Sequence, residues 1–125
     1  MDKYISHRDH ITPAETNGLF GGQGSFRRWT HYDDQAAPPF TVIAETEMAP
    51  GALAGLHVQP DQQELLYILE GCGRFEIDSQ TTDVKAGDAL LARAGNNFAL
   101  TNTSNRPLRY LVVKSREKQE ESNRR

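Results

Sequence analysis

The stretch GLHVQPDQQELLYILEG, residues 55–71, leads from a polar segment into a short apolar run and closes on a glycine. The run ELLYIL is too short for a typical buried helix and lies between turn-forming residues, so it predicts a strand. Alternate side chains of a strand face opposite ways. One face holds Glu64, Leu66 and Ile68, and the other holds Leu65, Tyr67 and Leu69. Because both faces are apolar, we expect a strand covered on both sides, as in a sandwich or a filled barrel.

Short runs of the same kind recur outward from this strand. They read FRRW, FTVIAETEM, RFEID, ALLA, NFALTN and LRYLVVK. Turn signals separate them at Pro50-Gly51, Glu70-Gly71, Ala86-Gly87-Asp88 and Ala94-Gly95-Asn96. The pattern predicts an all-β fold, either a barrel or a jelly roll.

The two ends of the chain differ from this middle part. Residues 1–25 mix charges and glycines without sustained apolar periodicity, which predicts a flexible N-terminal arm. Residues 115–125 contain no apolar side chain, so we expect a polar C-terminal tail that is a frayed helix or disordered. A single barrel domain is expected over residues 26–114.

Composition limits the classes of partner. The 125 residues carry a formal charge of -3, so nothing indicates a nucleic-acid or membrane partner. No run is long enough to cross a bilayer, and the first ten residues are too polar for a signal peptide, so we expect a cytoplasmic protein. The single Cys72 is expected to be a buried free thiol.

Three polar side chains precede the apolar run. His57 and Gln59 are two residues apart and share a strand face, and the segment from Pro60 to Gln63 can turn the chain so that Glu64 returns beside them. An imidazole, an amide oxygen and a carboxylate are all possible ligands of a divalent metal. The same residues also fit a solvated hairpin that binds nothing.

The spacing of these residues resembles the two sequence motifs of the cupin superfamily. The first motif runs glycine, five residues, His-x-His, three or four residues, glutamate, six residues, glycine. It is matched by Gly51, His57, Glu64 and Gly71, with Gln59 in place of the second histidine. The second is matched by Gly87, Gly95 and Asn102, with Arg93 in place of its proline and Phe98 in place of its histidine.

The resemblance implies a single conical barrel, also described as a double-stranded β-helix, and often a homodimer. In cupins three histidines and a glutamate hold a metal inside the barrel. This implies His57 and Glu64 as ligands of iron, nickel, manganese or zinc, with Gln59 as a weak ligand and Phe98 as none. We therefore expect a weakly held metal or an empty site. His31 could restore a ligand from a neighbouring strand.

Phe98 and Leu100 share a strand face and would line an apolar pocket for a small organic molecule, together with Gln59 and Tyr67. Phe98 could equally fill the core. Arg28 or its neighbour Arg27 could anchor an anionic group, although adjacent strand residues point opposite ways.

The predicted function is an isomerase, cyclase or dehydratase-type tailoring enzyme, with Glu64 and His57 as catalytic acid and base or as metal ligands. An oxygenase is disfavoured, because activation of oxygen requires a firmly held iron. The alternative is a non-catalytic carrier or sensor of a small molecule. The sequence does not identify the substrate.

Overall fold

The computed structural model describes residues 4–117, and it confirms the all-β prediction. Its ten strands are β1 Ala14–Asn17, β2 Ser25–Asp33, β3 Phe40–Met48, β4 Leu53–Val58, β5 Gln62–Glu70, β6 Cys72–Ile77, β7 Gln80–Lys85, β8 Ala89–Ala92, β9 Asn97–Thr101 and β10 Leu108–Arg116. Each run predicted as a strand forms one. Three strands are not among the predicted runs. They are β4, where only His57 and Gln59 were expected to share a strand face, and β1 and β7, whose side chains are almost all exposed.

The strands form two antiparallel sheets that enclose one core. One sheet has the order β1-β2-β3-β10-β5-β8 and the other has the order β4-β9-β6-β7. The core draws side chains from both sheets, including Met48, Ile68, Phe75, Leu100, Leu108 and Val112. Because side chains alternate along a strand, these residues lie on one face of each sheet. The two faces pack together and form the interior of a jelly-roll barrel.

Strand β5 is buried on one face only. Leu66 and Ile68 are at most 3% exposed, whereas Tyr67 and Leu69 are 40% and 42% exposed on the opposite face. The prediction that both faces are covered is therefore wrong for the described chain, because its apolar outer face lies on the surface of the barrel.

The predicted turns hold the barrel in register. The glycines at 51, 71, 87 and 95 all have φ values between 75° and 96°, which L side chains rarely adopt. Asn102 is fully buried, and its amide donates to the carbonyl oxygens of Met48, Ala49 and Arg106. Asn102 therefore links the end of β9 to the end of β3 and to the turn at Arg106.

The N-terminal segment is ordered over much of its length. Strand β1 pairs with β2 at the edge of the larger sheet and is exposed along its length. Residues 18–24, here called the strap, then cross to β4, where Gln23 and Leu53 exchange backbone hydrogen bonds. The boundary of the barrel domain at residue 26 stays a prediction.

Two other expectations need correction. Strand β10 continues through Ser115 and Arg116, so the predicted tail begins inside the sheet, and residues 118–125 lie outside the described part. Cys72 is exposed, because it starts β6 with its side chain on the outer face. Within residues 4–117, no helix has the length and hydropathy needed to span a membrane.

Candidate functional site

His57 lies on β4 with its imidazole against the barrel interior. Its backbone pairs with that of Phe98 on β9. The Nδ1–H group donates to the carbonyl oxygen of Gly55 at 2.9 Å, and this leaves the lone pair on Nε2. Nε2 is buried and has no hydrogen-bond partner in the described chain. The site therefore contains a buried nitrogen that is free to accept a proton or a hydrogen bond.

Two aromatic rings enclose this imidazole. Phe20 from the strap stacks on it at 3.7 Å between ring centroids, and Phe98 contacts it at 4.2 Å. Burial lowers the pKa of His57 below its usual value, and Lys114 lowers it further, while the Gly55 carbonyl and Glu64 oppose the change. The imidazole is therefore neutral near pH 7.

Glu64 on β5 lies in the same interior and is tied to two partners. Its side chain is 7% exposed, and the Gln59 amide donates a short hydrogen bond to one carboxylate oxygen. The Lys114 ammonium, on the neighbouring strand β10, lies 3.8 Å from that oxygen and is 14% exposed. A buried carboxylate thus meets a buried cation of this chain.

A further group of inward polar side chains extends from Glu64. Tyr110 on β10 is buried, and burial raises the pKa of its hydroxyl well above the usual range, so it stays protonated. Its side chain bonds to that of Thr46, while the charges of Arg28 and Glu64 shift the pKa of its hydroxyl in opposite directions. Arg28 Nε donates to the Thr46 hydroxyl at 3.3 Å. Polar groups therefore run across the interior from β2 to β5.

The structure brings most of the predicted site residues together. Gln59 bonds to Glu64, His57 contacts Phe98, and the Glu64 charge acts on His57. Leu100 lies in the adjoining core at 3% exposure. Tyr67 faces outward, opposite Glu64, and does not join the group. His31 bonds through Nδ1 to the Ser6 hydroxyl and lines a groove of about 810 Å³ outside the barrel.

Sequence reasoning missed Lys114, Tyr110 and Phe20. Lys114 and Tyr110 share the parity of the buried Val112, so alternation in LRYLVVK already placed both on the inner face. The contact of Phe20 with His57 spans 37 residues and has no local signal.

The three residues predicted as metal ligands lie close together, yet their donor set does not suit a divalent ion. The Oε1 atom of Glu64 already has two partners, the Gln59 amide and the Lys114 ammonium, and His57 Nε2 is the one buried side-chain atom of the described residues that has no hydrogen-bond partner. Phe98 contributes no lone pair. Among residues 4–117, no three His, Cys, Asp or Glu side chains are grouped closely enough to hold a metal. We therefore derive no chemical step through a metal.

Comparison with known proteins agrees with this architecture. An oxalate-binding protein from Thermotoga maritima is 30% identical over 110 residues, which cover 87% of this chain and 91% of that protein. The crystal structure of a predicted oxalate decarboxylase from the same organism superposes with a TM-score of 0.87 at 27% identity, covering 90% of this chain and 99% of the other. Ectoine synthase from P. lautus superposes with a TM-score of 0.74 at 16% identity, covering 89% and 76%, and this likeness concerns the fold alone.

The chain also matches a protein family over the part that contains both sequence motifs and most of the barrel strands. The pattern of the family described as the cupin domain matches residues 44–114, which run from β3 through β10 and include His57, Glu64, Phe98 and Lys114. With this match and the 30% identity to the Thermotoga maritima protein, the chain belongs to the cupin family.

Proposed function

We propose that the barrel binds a small organic metabolite and catalyses a proton transfer on it, as an isomerase, cyclase or dehydratase does. The observation that carries this proposal is the buried Nε2 of a neutral imidazole, which has no partner in the described chain. A nitrogen in this state is ready to act as a general base.

The neighbouring groups support such a reaction. Nε2 takes a proton from a carbon or hydroxyl of the substrate, and the electron pair stays on the substrate. The Glu64 carboxylate stabilises the resulting imidazolium, since it favours the charged form of His57. The imidazolium then returns the proton to another substrate atom, which completes an isomerisation, or to a departing hydroxyl, which completes a dehydration. Gln59 and Lys114 keep the Glu64 carboxylate in place.

Proton transfer can be measured before the substrate is known. Keto acids, hydroxy acids and cyclic ketones are first screened by thermal shift, and the compounds that bind are incubated with the protein in D2O. We expect NMR to detect deuterium in the ligand with the wild type. His57→Gln should slow this exchange by roughly 10²- to 10⁴-fold, the usual contribution of a general base.

The control variant is His31→Gln, because His31 bonds to Ser6 outside the barrel. It should exchange deuterium at the wild-type rate. Equal rates for wild type and His57→Gln would contradict the assignment of His57 as the base.

The second candidate is a non-catalytic carrier or sensor of a small molecule. It is supported by the Thermotoga maritima relative, which is named for binding oxalate and not for a reaction. The same experiment separates the candidates. A compound that binds the wild type and gains no deuterium at exchangeable carbons would favour the carrier.

The proposal includes a homodimer in the cytoplasm. Tyr67, Leu69 and Leu91 form an apolar patch on the outer face of β5 and β8, with exposures of 40%, 42% and 50%. Apolar patches of this kind are typical of protein interfaces. A second copy of the chain that covers the patch would bury the outer face of β5.

A further inference from the structure

The charges of the side chains that face into the barrel do not sum to zero. Glu64 carries one negative charge, Lys114 and Arg28 carry one positive charge each, and His57 is neutral. The acidic residues of β3 face outward, where Glu45 pairs with Arg8 and Arg109 and Glu47 pairs with Arg27. The interior therefore keeps a net positive charge that belongs to Arg28.

Arg28 bonds to a neutral side chain and lines a small cavity. Its guanidinium bonds to the Thr46 hydroxyl, and no acidic side chain of residues 4–117 forms an ion pair with it. A cavity of about 90 Å³ adjoins it. The lining residues are Ala14, Thr16, Leu19, Phe26, Arg28 and Thr46. This volume equals about three water molecules, which is enough for one carboxylate group.

Tyr110 connects this cavity to the proposed catalytic groups. The sheet order β2-β3-β10-β5 places the strand of Tyr110 between the strands of Arg28 and Glu64, and Tyr110 pairs with Thr46 across β10 and β3. A molecule whose carboxylate contacts Arg28 would extend past Tyr110 toward Glu64. The guanidinium fork is suited to a carboxylate, because it can donate two parallel hydrogen bonds.

Lys114 occupies the electrostatic role that a metal would have at Glu64. Its ammonium is 3.8 Å from the carboxylate and repels a divalent cation at the same place. We propose that the barrel takes a small organic anion, whose carboxylate is held by Arg28, and that Lys114 replaces a divalent metal as the cationic partner of Glu64. The anion site rests on the proposed function in one respect, since both place the ligand inside the barrel.

Calorimetric titration of the full chain tests the anion site. The probes are glycolate, pyruvate, malonate and succinate, each with its uncharged amide, against protein treated with EDTA. We expect at least one acid to bind and its amide not to bind. Arg28→Gln should weaken the acid roughly 10- to 100-fold, the range for a lost charge-assisted hydrogen bond, and Arg28→Lys should weaken it less.

The neighbouring arginine provides a matched control. Arg27 carries the same charge on the adjacent residue, but it faces outward and pairs with Glu47. Arg27→Gln should leave the affinity unchanged. Two outcomes would overturn the proposal that Arg28 binds the carboxylate. One is an equal loss of affinity in Arg27→Gln and Arg28→Gln, and the other is equal binding of an acid and its amide.

Metal analysis tests the role of Lys114. The wild type should bind the acid equally well with and without EDTA. Lys114→Met should raise the affinity for Zn²⁺ or Ni²⁺ at least tenfold, because no ammonium then repels the ion beside Glu64, while Lys85→Met on the exposed strand β7 should not. Acid binding that EDTA abolishes and Mn²⁺ or Zn²⁺ restores would overturn the inference.

The two proposals fail in different ways. If only uncharged compounds bind and they exchange deuterium, the anion site is wrong and the catalytic role of His57 stands. If acids bind through Arg28 and exchange no deuterium, the anion site stands and the catalytic role is wrong.

Discussion

At the scale of single residues, the environment of His57 determines its chemistry. A neutral imidazole enclosed by Phe20 and Phe98 keeps its lone pair away from water, and the Gly55 carbonyl fixes the tautomer. Burial lowers the pKa of His57 because it disfavours the charged form. The same effect makes the stability of the fold depend on pH.

We expect the free energy of unfolding to fall as the pH decreases below about 6.5, the ordinary pKa of histidine. The unfolded chain takes up a proton on His57 in that range, and the folded chain resists until the pH reaches its lower pKa. Above pH 6.5 both states are neutral at this residue and the contribution is constant. Urea unfolding between pH 5 and 8 measures this dependence.

His57→Gln should flatten the pH dependence relative to the wild type, whereas His10→Gln on the exposed 3₁₀ turn should retain it. An unchanged slope in His57→Gln would mean that His57 does not resist protonation in the folded state.

At the scale of elements, the strap and β4 position the His57 ring. Gly55 allows their close approach, since a Cβ built there would lie 2.3 Å from the carbonyl oxygen of Phe20. Phe20 itself has a φ of 53°, an unfavourable value for a residue with a side chain. Packing of its ring on His57 helps to hold the strap in this conformation.

Gly55→Ala should displace the strap from β4 and let water reach His57. We expect a loss of stability of about 1–3 kcal/mol from the steric conflict. The pKa of His57, followed by NMR, should rise toward 6.5 as the imidazole becomes hydrated.

Gly87→Ala in the turn between β7 and β8 is the matched control, because a Cβ at Gly87 meets open space and strains only the backbone. It should leave the pKa of His57 unchanged. A Gly55→Ala variant with an unchanged pKa would show that the strap does not shield the imidazole.

At the scale of the whole molecule, the outer face of the larger sheet is the surface through which we propose that the dimer forms. We expect Leu91→Lys to convert the proposed dimer into a monomer, since a charge within the patch formed by Tyr67, Leu69 and Leu91 would have to lose its hydration. Sedimentation velocity measures the change.

Leu56→Lys is the control for this variant, because Leu56 is equally exposed, at 50%, on β4 of the other sheet. It should sediment like the wild type. A wild-type chain that sediments as a monomer at all concentrations would contradict the proposed dimer.

Local patterns of the sequence predicted most of the fold. ELLYIL and LRYLVVK alternate cleanly, and glycines at residues 51, 71, 87 and 95 mark turns that need positive φ. Strand β7 escaped prediction, because Val84 is its single buried side chain. The alternation that places Glu64 inside puts Tyr67 outside, so the prediction that Tyr67 lines the pocket disagreed with the strand pattern.

The site was less accessible to sequence reasoning. The spacing of His57, Gln59 and Glu64 indicated their convergence, but their partners come from distant strands. Lys114 is 50 residues from Glu64 in sequence, and it reaches the carboxylate only through the register of β10 against β5. Contacts of this range depend on the closed barrel and have no local signature.

The central place of β10 determines when the site can form during synthesis. This strand is the last of the ten to leave the ribosome, yet it pairs with both β3 and β5 and brings Tyr110 and Lys114. Until it emerges, β3 and β5 lack a common neighbour and their edges are open to other chains. The nascent protein therefore passes through a stage in which Glu64 has no ammonium beside it, and the polar inner face of the barrel is complete only when the final strand has paired.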